Sequence, residues 1–275
     1  MAPTFMVSAP GKVIVFGGHA AVFRKPAVAA ALSLRSYLLV TTYSKSRRTV
    51  TLNFRDIGLD HTWSIDTLPW PVFHHPSKKK FYYSAVDSLD PALLDAIMPH
   101  AEAVSNDLPE KQRKIHVRPA AAFLYLLLSL GSPQSSGFIY TLRSTIPIGA
   151  GLGSSASICV CLSTALLLQS RTVAGPHTDQ PRNEAEMQIE HINHWAYVGE
   201  LCIHGDPSGV DNTVLSSGKA VLFQKNLAGG SSSVTTLPSF PQLRFLLVDT
   251  HQPRPQPRKS KKRTSSRKAT LSQPN

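Results

Sequence analysis

Between Ile146 and Ser157 the chain reads Ile-Pro-Ile-Gly-Ala-Gly-Leu-Gly-Ser-Ser-Ala-Ser, and no other stretch restricts its fold as strongly. Glycines at every second position, Gly149, Gly151 and Gly153, let the backbone take positive φ and approach a ligand with no Cβ in the way. Upstream, Phe138 to Ile146 alternates apolar and polar residues as a half-buried strand does. Downstream, Ser154 and Ser155 stand as caps for a helix over the apolar run Ala156 to Gln169. Strand, glycine loop and helix N-terminus in that order gather unpaired N–H groups and the positive end of the helix dipole around one space, which suits a phosphate. The same order also serves as a plain turn. The spacing is neither that of a Walker A loop, which needs a lysine after its second glycine, nor G-x-G-x-x-G.

Around this loop the chain divides by pattern. Met6 to Val15 reads as a strand broken at Ala9-Pro10-Gly11, and Tyr37 to Tyr43 and Thr49 to Phe54 read as further strands. Residues 69–82, with three prolines, a His pair and a Lys triplet, read as an exposed loop. Ala92 to Ala103, Arg118 to Leu130 and Glu184 to Cys202 carry helical spacing. On the last of these, His191 and His194 lack a third residue spaced to join them at a metal, so they read as part of a polar face. Lys219 to Lys225 and Leu243 to Asp249 read as two closing strands joined through a Gly/Ser-rich linker at 228–233.

Charge separates the chain into a body and a tail. The formal net charge is +12, but residues 251–275 hold eight Lys and Arg and no acid, so the remainder carries about +4. With four prolines and one leucine, residues 250–275 read as a basic disordered tail. Cys159, Cys161 and Cys202 form neither a disulfide framework nor a zinc spacing and read as small core residues of a reducing compartment. The longest apolar run, Ala120 to Leu130, falls short of the ~20 residues that span a bilayer, so the expectation is a cytoplasmic protein without a membrane partner.

Two further stretches carry chemistry. Ser8-Ala9-Pro10-Gly11-Lys12, followed by Gly17-Gly18-His19, sets a lysine and a histidine at either side of a short apolar strand, where an ammonium can meet an anionic substrate. His204-Gly205-Asp206-Pro207-Ser208-Gly209-Val210-Asp211-Asn212 is a Gly/Pro turn with two carboxylates, which by itself is also an ordinary Asx turn. In this order, the three stretches resemble the GHMP kinase family, and within it the mevalonate kinase branch most closely.

The resemblance spans residues 5–249 and implies an α+β fold of the GHMP-kinase N-terminal type, with the C-terminal lobe of that family largely missing from the 275 residues. It implies ATP-dependent phosphorylation of mevalonate in isoprenoid and sterol precursor synthesis, with Mg2+ as the metal. By position, Asp211 falls on the catalytic aspartate and Lys12 on the lysine beside it. Gly149, Ala150, Gly151, Leu152, Gly153, Ser154, Ser155 and Ala156 fall on the ATP-phosphate loop, with Ser154 or Ser155 and Glu200 on the Mg2+ ligands. His19 and Ser208, with Lys12 and Asp211, fall on the substrate pocket, and a homodimer is the assembly implied for the full-length form. The chain departs from the family at Gly18, where a glutamate is usual, and at Asp206, where an asparagine is usual. A second reading is a non-catalytic kinase-like module whose basic tail contacts nucleic acid or acidic partners. No aromatic residue interleaves the basic run, which weighs against nucleic acid.

Overall fold

The computed structural model describes residues 3–43, 47–76, 88–224 and 233–248. Met1–Arg244 form one compact unit, and of the second, Phe245–Asn275, only residues 245–248 are described, without regular secondary structure.

Among the described residues, seven strands form one sheet: β1 (Phe5–Phe16), β2 (Ala27–Thr42), β3 (Thr49–Phe54), β4 (Leu59–Ser64), β5 (Phe138–Ser144), β6 (Ala220–Gln224) and β7 (Ser233–Thr236). The order is β4-β3-β5-β2-β6-β7, with β1 antiparallel to β2 along nearly its whole length. Among the described strands only β3 and β5 run parallel; every other pair is antiparallel. β2 is the spine, pairing β5 over Ser36–Thr42 and β6 over Ala27–Ala30. Its alanine-rich first half has weak strand preference by itself, and pairing with β1 and β6 is what holds it extended. That is why β2 begins ten residues before the strand expected at Tyr37.

The helices among the described residues are α1 (Trp70–Phe73), α2 (Pro91–Glu102), α3 (Glu110–Leu130), α4 (Ser154–Gln169), α5 (Arg182–His204) and α6 (Val210–Ser217). α4 is buried on almost every side from Ala156 to Leu167, as expected of a helix apolar all round, and packs against β1, β2, α3, α5 and α6. Leu38, Leu52, Phe123, Leu126, Tyr140 and Leu166 belong to the one large core between sheet and helices. A smaller cluster of Ala27, Ala29, Val210, Val214, Val221 and Phe223 ties α6 to β2 and β6.

Several expectations are corrected. β1 is not broken at Ala9-Pro10-Gly11; it continues through a register shift between Pro10 and Lys12. Pro10 is tolerated because β1 pairs with β2 alone among the described strands, so its other edge asks for no ladder donor. α3 starts two turns before Arg118 and runs through Pro119. The early turns are held by buried His116, whose ring nitrogens meet Ser105 Oγ and the Ile57 carbonyl at 2.8 Å each. The loop expected at 69–82 contains α1, with Trp70 and Phe73 buried; residues 77–82, including the Lys triplet, lie outside the described residues. No strand forms over Leu243–Val248, because an apolar run becomes a strand only beside a partner and none of the described strands pairs with it; Asp249 is outside the described residues. Ser233, expected to end a linker, opens β7, while 228–232 and the tail 250–275 are also outside the described residues.

Candidate active site

The glycine loop is docked onto β1. At the register shift the Lys12 amide turns out of the ladder and donates to the Leu152 carbonyl at 2.9 Å. One residue on, a Cβ at Gly153 would sit 3.0 Å from Lys12 Cγ and 3.3 Å from Leu215 Cδ1, and Gly153 has φ +76. Only glycine meets both demands there. Gly149 and Gly151 also take positive φ, +80 and +77. Ser157 anchors the start of α4 by donating from Oγ to the Ala9 carbonyl at 2.9 Å. Ser154 and Ser155 do not cap α4: Gly153 is the N-cap and makes no side-chain bond, so both serines are helical and their hydroxyls are free for other partners.

Docking of loop on strand delivers Lys12 to α6. Its Nζ lies 3.1 Å from Asp211 Oδ1, with Lys12 buried and the Asp211 side chain 31% exposed. Asp211 sits in the first turn of α6, which begins after Gly209 at φ +75. That turn is clamped to α5: Asn212 Nδ2 donates to Asn193 Oδ1 at 2.6 Å and to the Asn193 carbonyl at 3.2 Å, and Asn193 Nδ2 reaches Thr213 Oγ1 at 3.3 Å.

A second acidic group comes from the end of α5. Glu200 is 4% exposed and its Oε1 has no hydrogen-bond partner. Burial pushes its carboxyl up to about 7; Ser155 pulls it down, Asp211 pushes it further up and Lys12 pulls it down. Ser155 Oγ is 2.9 Å from His204 Nε2, which in turn lies 3.8 Å from Glu200 Oε1. Burial, and then the charge of Arg118, hold the His204 imidazole below its usual range. Beside Ser154 and Ser155 opens a cavity of about 330 Å3 walled by Phe54, Ile57, Ile115, Pro119, Ile148 and Ile158. Its size falls in the range of small-molecule sites, roughly 300–1,000 Å3. Another cavity, of about 350 Å3, lies by Trp70, Leu127 and Gln169 and holds none of the motif residues.

The fold thus gathers Lys12, Asp211, the loop from Gly149 to Ala156, Ser155 and Glu200. His19 and Ser208 are exposed, and among the described residues no hydrogen bond or ion pair links either of them to Lys12 or Asp211. The His204 contact, the Asn193–Asn212 clamp and the whole of α6 were not foreseen from sequence. Two signals for α6 were present: Gly209 and Gly218 punctuate it, and Val210 and Val214 are one turn apart. Among the described residues, no group of three or more His, Cys, Asp or Glu is arranged to hold a metal, and no helix is long and apolar enough to cross a membrane.

A helix-opening glycine loop beside a strand-borne lysine paired with an aspartate is an arrangement that suits an anionic ligand, and residues 117–219 match the family model of the GHMP kinases N terminal domain. These residues therefore carry a GHMP kinases N-terminal domain, and the relatives that follow extend the likeness over 92% of the chain. It is 72% identical over 254 residues to the mevalonate kinase of Aspergillus fumigatus, covering 92% of this chain and 47% of that protein. It is 38% identical over 260 residues to the mevalonate kinase of Saccharomyces cerevisiae, covering 92% and 56%. The chain spans about half the length of the curated relatives it matches. Among solved structures, the Methanococcus jannaschii mevalonate kinase superposes with a TM-score of 0.55 at 18% identity, over 86% of this chain and 57% of that one. The L. major mevalonate kinase in complex with R-mevalonate gives 0.50 at 20% identity, over 85% and 52%. At such identities these two likenesses bear on fold alone.

Proposed function

We propose that this chain supplies the phosphate loop and the proton-accepting pair of an ATP-dependent kinase that phosphorylates the 5-hydroxyl of mevalonate. The observation that carries it is the ion pair of buried Lys12 with Asp211 at 3.1 Å, at the loop's floor. The substrate hydroxyl gives its proton to Asp211 as its oxygen attacks the γ-phosphorus of ATP, and the bond to the bridging oxygen breaks with ADP leaving. The Lys12 ammonium keeps Asp211 ionised and neutralises charge growing on the attacking oxygen. Backbone N–H groups at the start of α4 face the phosphates, and the cavity beside Ser154 and Ser155 takes the base. Charge neutralisation and in-line placement are what such a transfer asks of the protein.

The residues present fit Mg2+: Glu200 offers a buried carboxylate oxygen with no partner, and Ser155 a hydroxyl beside it. One or two carboxylates plus substrate phosphates is the usual way this ion is held. When bound it would neutralise phosphate charge. His19 and Ser208 belong to the mevalonate side of the site in this reading, and the cytosol is its compartment, in keeping with the buried free thiols Cys159 and Cys161. No observation favours the non-catalytic module.

The test is ADP release with mevalonate and Mg-ATP, measured for a chimera in which the remainder of the Aspergillus fumigatus relative follows residue 248. Asp211→Asn should lower kcat by roughly 10²-fold or more with KM within a few-fold, because the proton is transferred only in the transition state. Equal turnover by Asp211→Asn would remove Asp211 from the mechanism.

A further inference from the structure

Two cations of α3, Lys114 and Arg118, line the cavity beside Ser154 and Ser155, and they differ in how they are balanced. Lys114 Nζ is held at 2.5 Å by Glu110 Oε1, one turn earlier on the same helix. The other cation of the site, Lys12, is matched by Asp211, and elsewhere Arg48 pairs with Asp66 and Arg143 with Asp56. Arg118 is exposed, and among the described residues no ion pair or hydrogen bond to it is formed. Arg118 therefore lines the cavity with its charge uncompensated. The cavity is lined both by apolar residues, Phe54, Ile57 and Ile158, and by the two serines of the α4 N-terminus, which suits a ligand with an apolar part and an anionic part.

We propose that Arg118 reads the phosphate chain of a nucleoside di- or triphosphate whose base fills this cavity, and so sets selection by phosphate charge rather than by the base. The inference rests on the nucleotide reading above and adds to it a residue outside the three motifs. A guanidinium suits this place because its planar fork grips two phosphate oxygens at once, and because α3 is held rigidly by His116, two residues before it. Phosphate oxygens supply the anionic partner that Arg118 lacks within the chain.

Binding of adenosine, ADP and ATP to the 275-residue chain, followed by ligand-observed NMR at millimolar concentrations, tests this for the unaltered chain, Arg118→Ala and Arg118→Lys. Arg118→Ala should weaken ADP and ATP about tenfold and leave adenosine unchanged, and Arg118→Lys should recover part of the loss. Circular dichroism checks that each variant is folded, and a merely structural role would weaken adenosine to the same extent. Unchanged ADP and ATP affinity in Arg118→Ala, or a uniform loss across all three ligands, overturns the role of Arg118 while leaving the nucleotide site standing. Failure of the unaltered chain to bind any of the three overturns the nucleotide reading, and this inference with it.

Discussion

An ammonium beside a carboxylate is ordinary on a protein surface and contributes little there. Lys12 differs because it is buried among β1, the glycine loop and α6, so its charge is answered mainly by Asp211. Glu200 shows the opposite condition, a buried carboxyl without a partner for Oε1, and its pH behaviour follows from that. Its carboxyl rises from 4.5 in the unfolded chain to about 7 in the folded one, so the folded state holds a proton that the unfolded state has already lost. Below pH ~4.5 both states are protonated and the group is neutral to stability; from there to about 7 stability falls as pH rises, by at most ~3 kcal/mol. Urea unfolding without divalent cation, from pH 4.5 to 8, should show the unaltered chain losing stability relative to Glu200→Gln over that window. Parallel curves for the two proteins would place Glu200 in water or beside an unseen partner.

At the scale of elements, the site depends on how closely α5 lies against α4. Gly199 marks the contact: a Cβ there would stand 2.9 Å from Cys159 Sγ and 3.2 Å from both Cys159 Cβ and Leu126 Cδ1. The missing methyl lets α5 come near enough for Glu200, the next residue, to reach Ser155. Gly199→Ala should therefore destabilise by about 1–3 kcal/mol despite the better helix propensity of alanine, since overpacking exceeds that gain. The double variant with Cys159→Ala should recover most of the loss, which denaturant midpoints will report; no recovery would place the strain elsewhere.

At the scale of the molecule, the body carries about +4 and the last 25 residues eight cations, so polyanion affinity and folded structure are separable. The chain should bind DNA or RNA at low salt without sequence preference, with a slope of log K on log[salt] of up to about −7. Removal of residues 251–275 should abolish that binding and leave the melting temperature unchanged. Sequence-selective binding that survives physiological salt, measured by fluorescence anisotropy, would instead speak for the module reading.

Local pattern was enough where a segment's own periodicity and punctuation decide its state. β3, β5 and α4 formed within two residues of their expected bounds, because alternation, glycines and an unbroken apolar run act over a few neighbours. The resemblance to the GHMP kinases likewise pointed to Lys12, Asp211, Glu200 and the loop, which lie close together in the fold. What local pattern could not supply was each feature decided by a distant partner. Pro119 reads as a helix start, and only the His116 contacts to Ser105 and Ile57 carry α3 past it. The alanines of β2 became strand through β1 and β6, while the stronger strand former at Leu243–Val248 has no described partner and stays irregular. Ser155 was visible as a residue, but its place between His204 and Glu200 depends on two helices that approach at Gly199. Sequence alone determined which side chains are available for chemistry, since side-chain identity is local. Tertiary structure decided which of them meet, since burial, charge balance and cavity shape arise only when segments far apart in the chain are packed together.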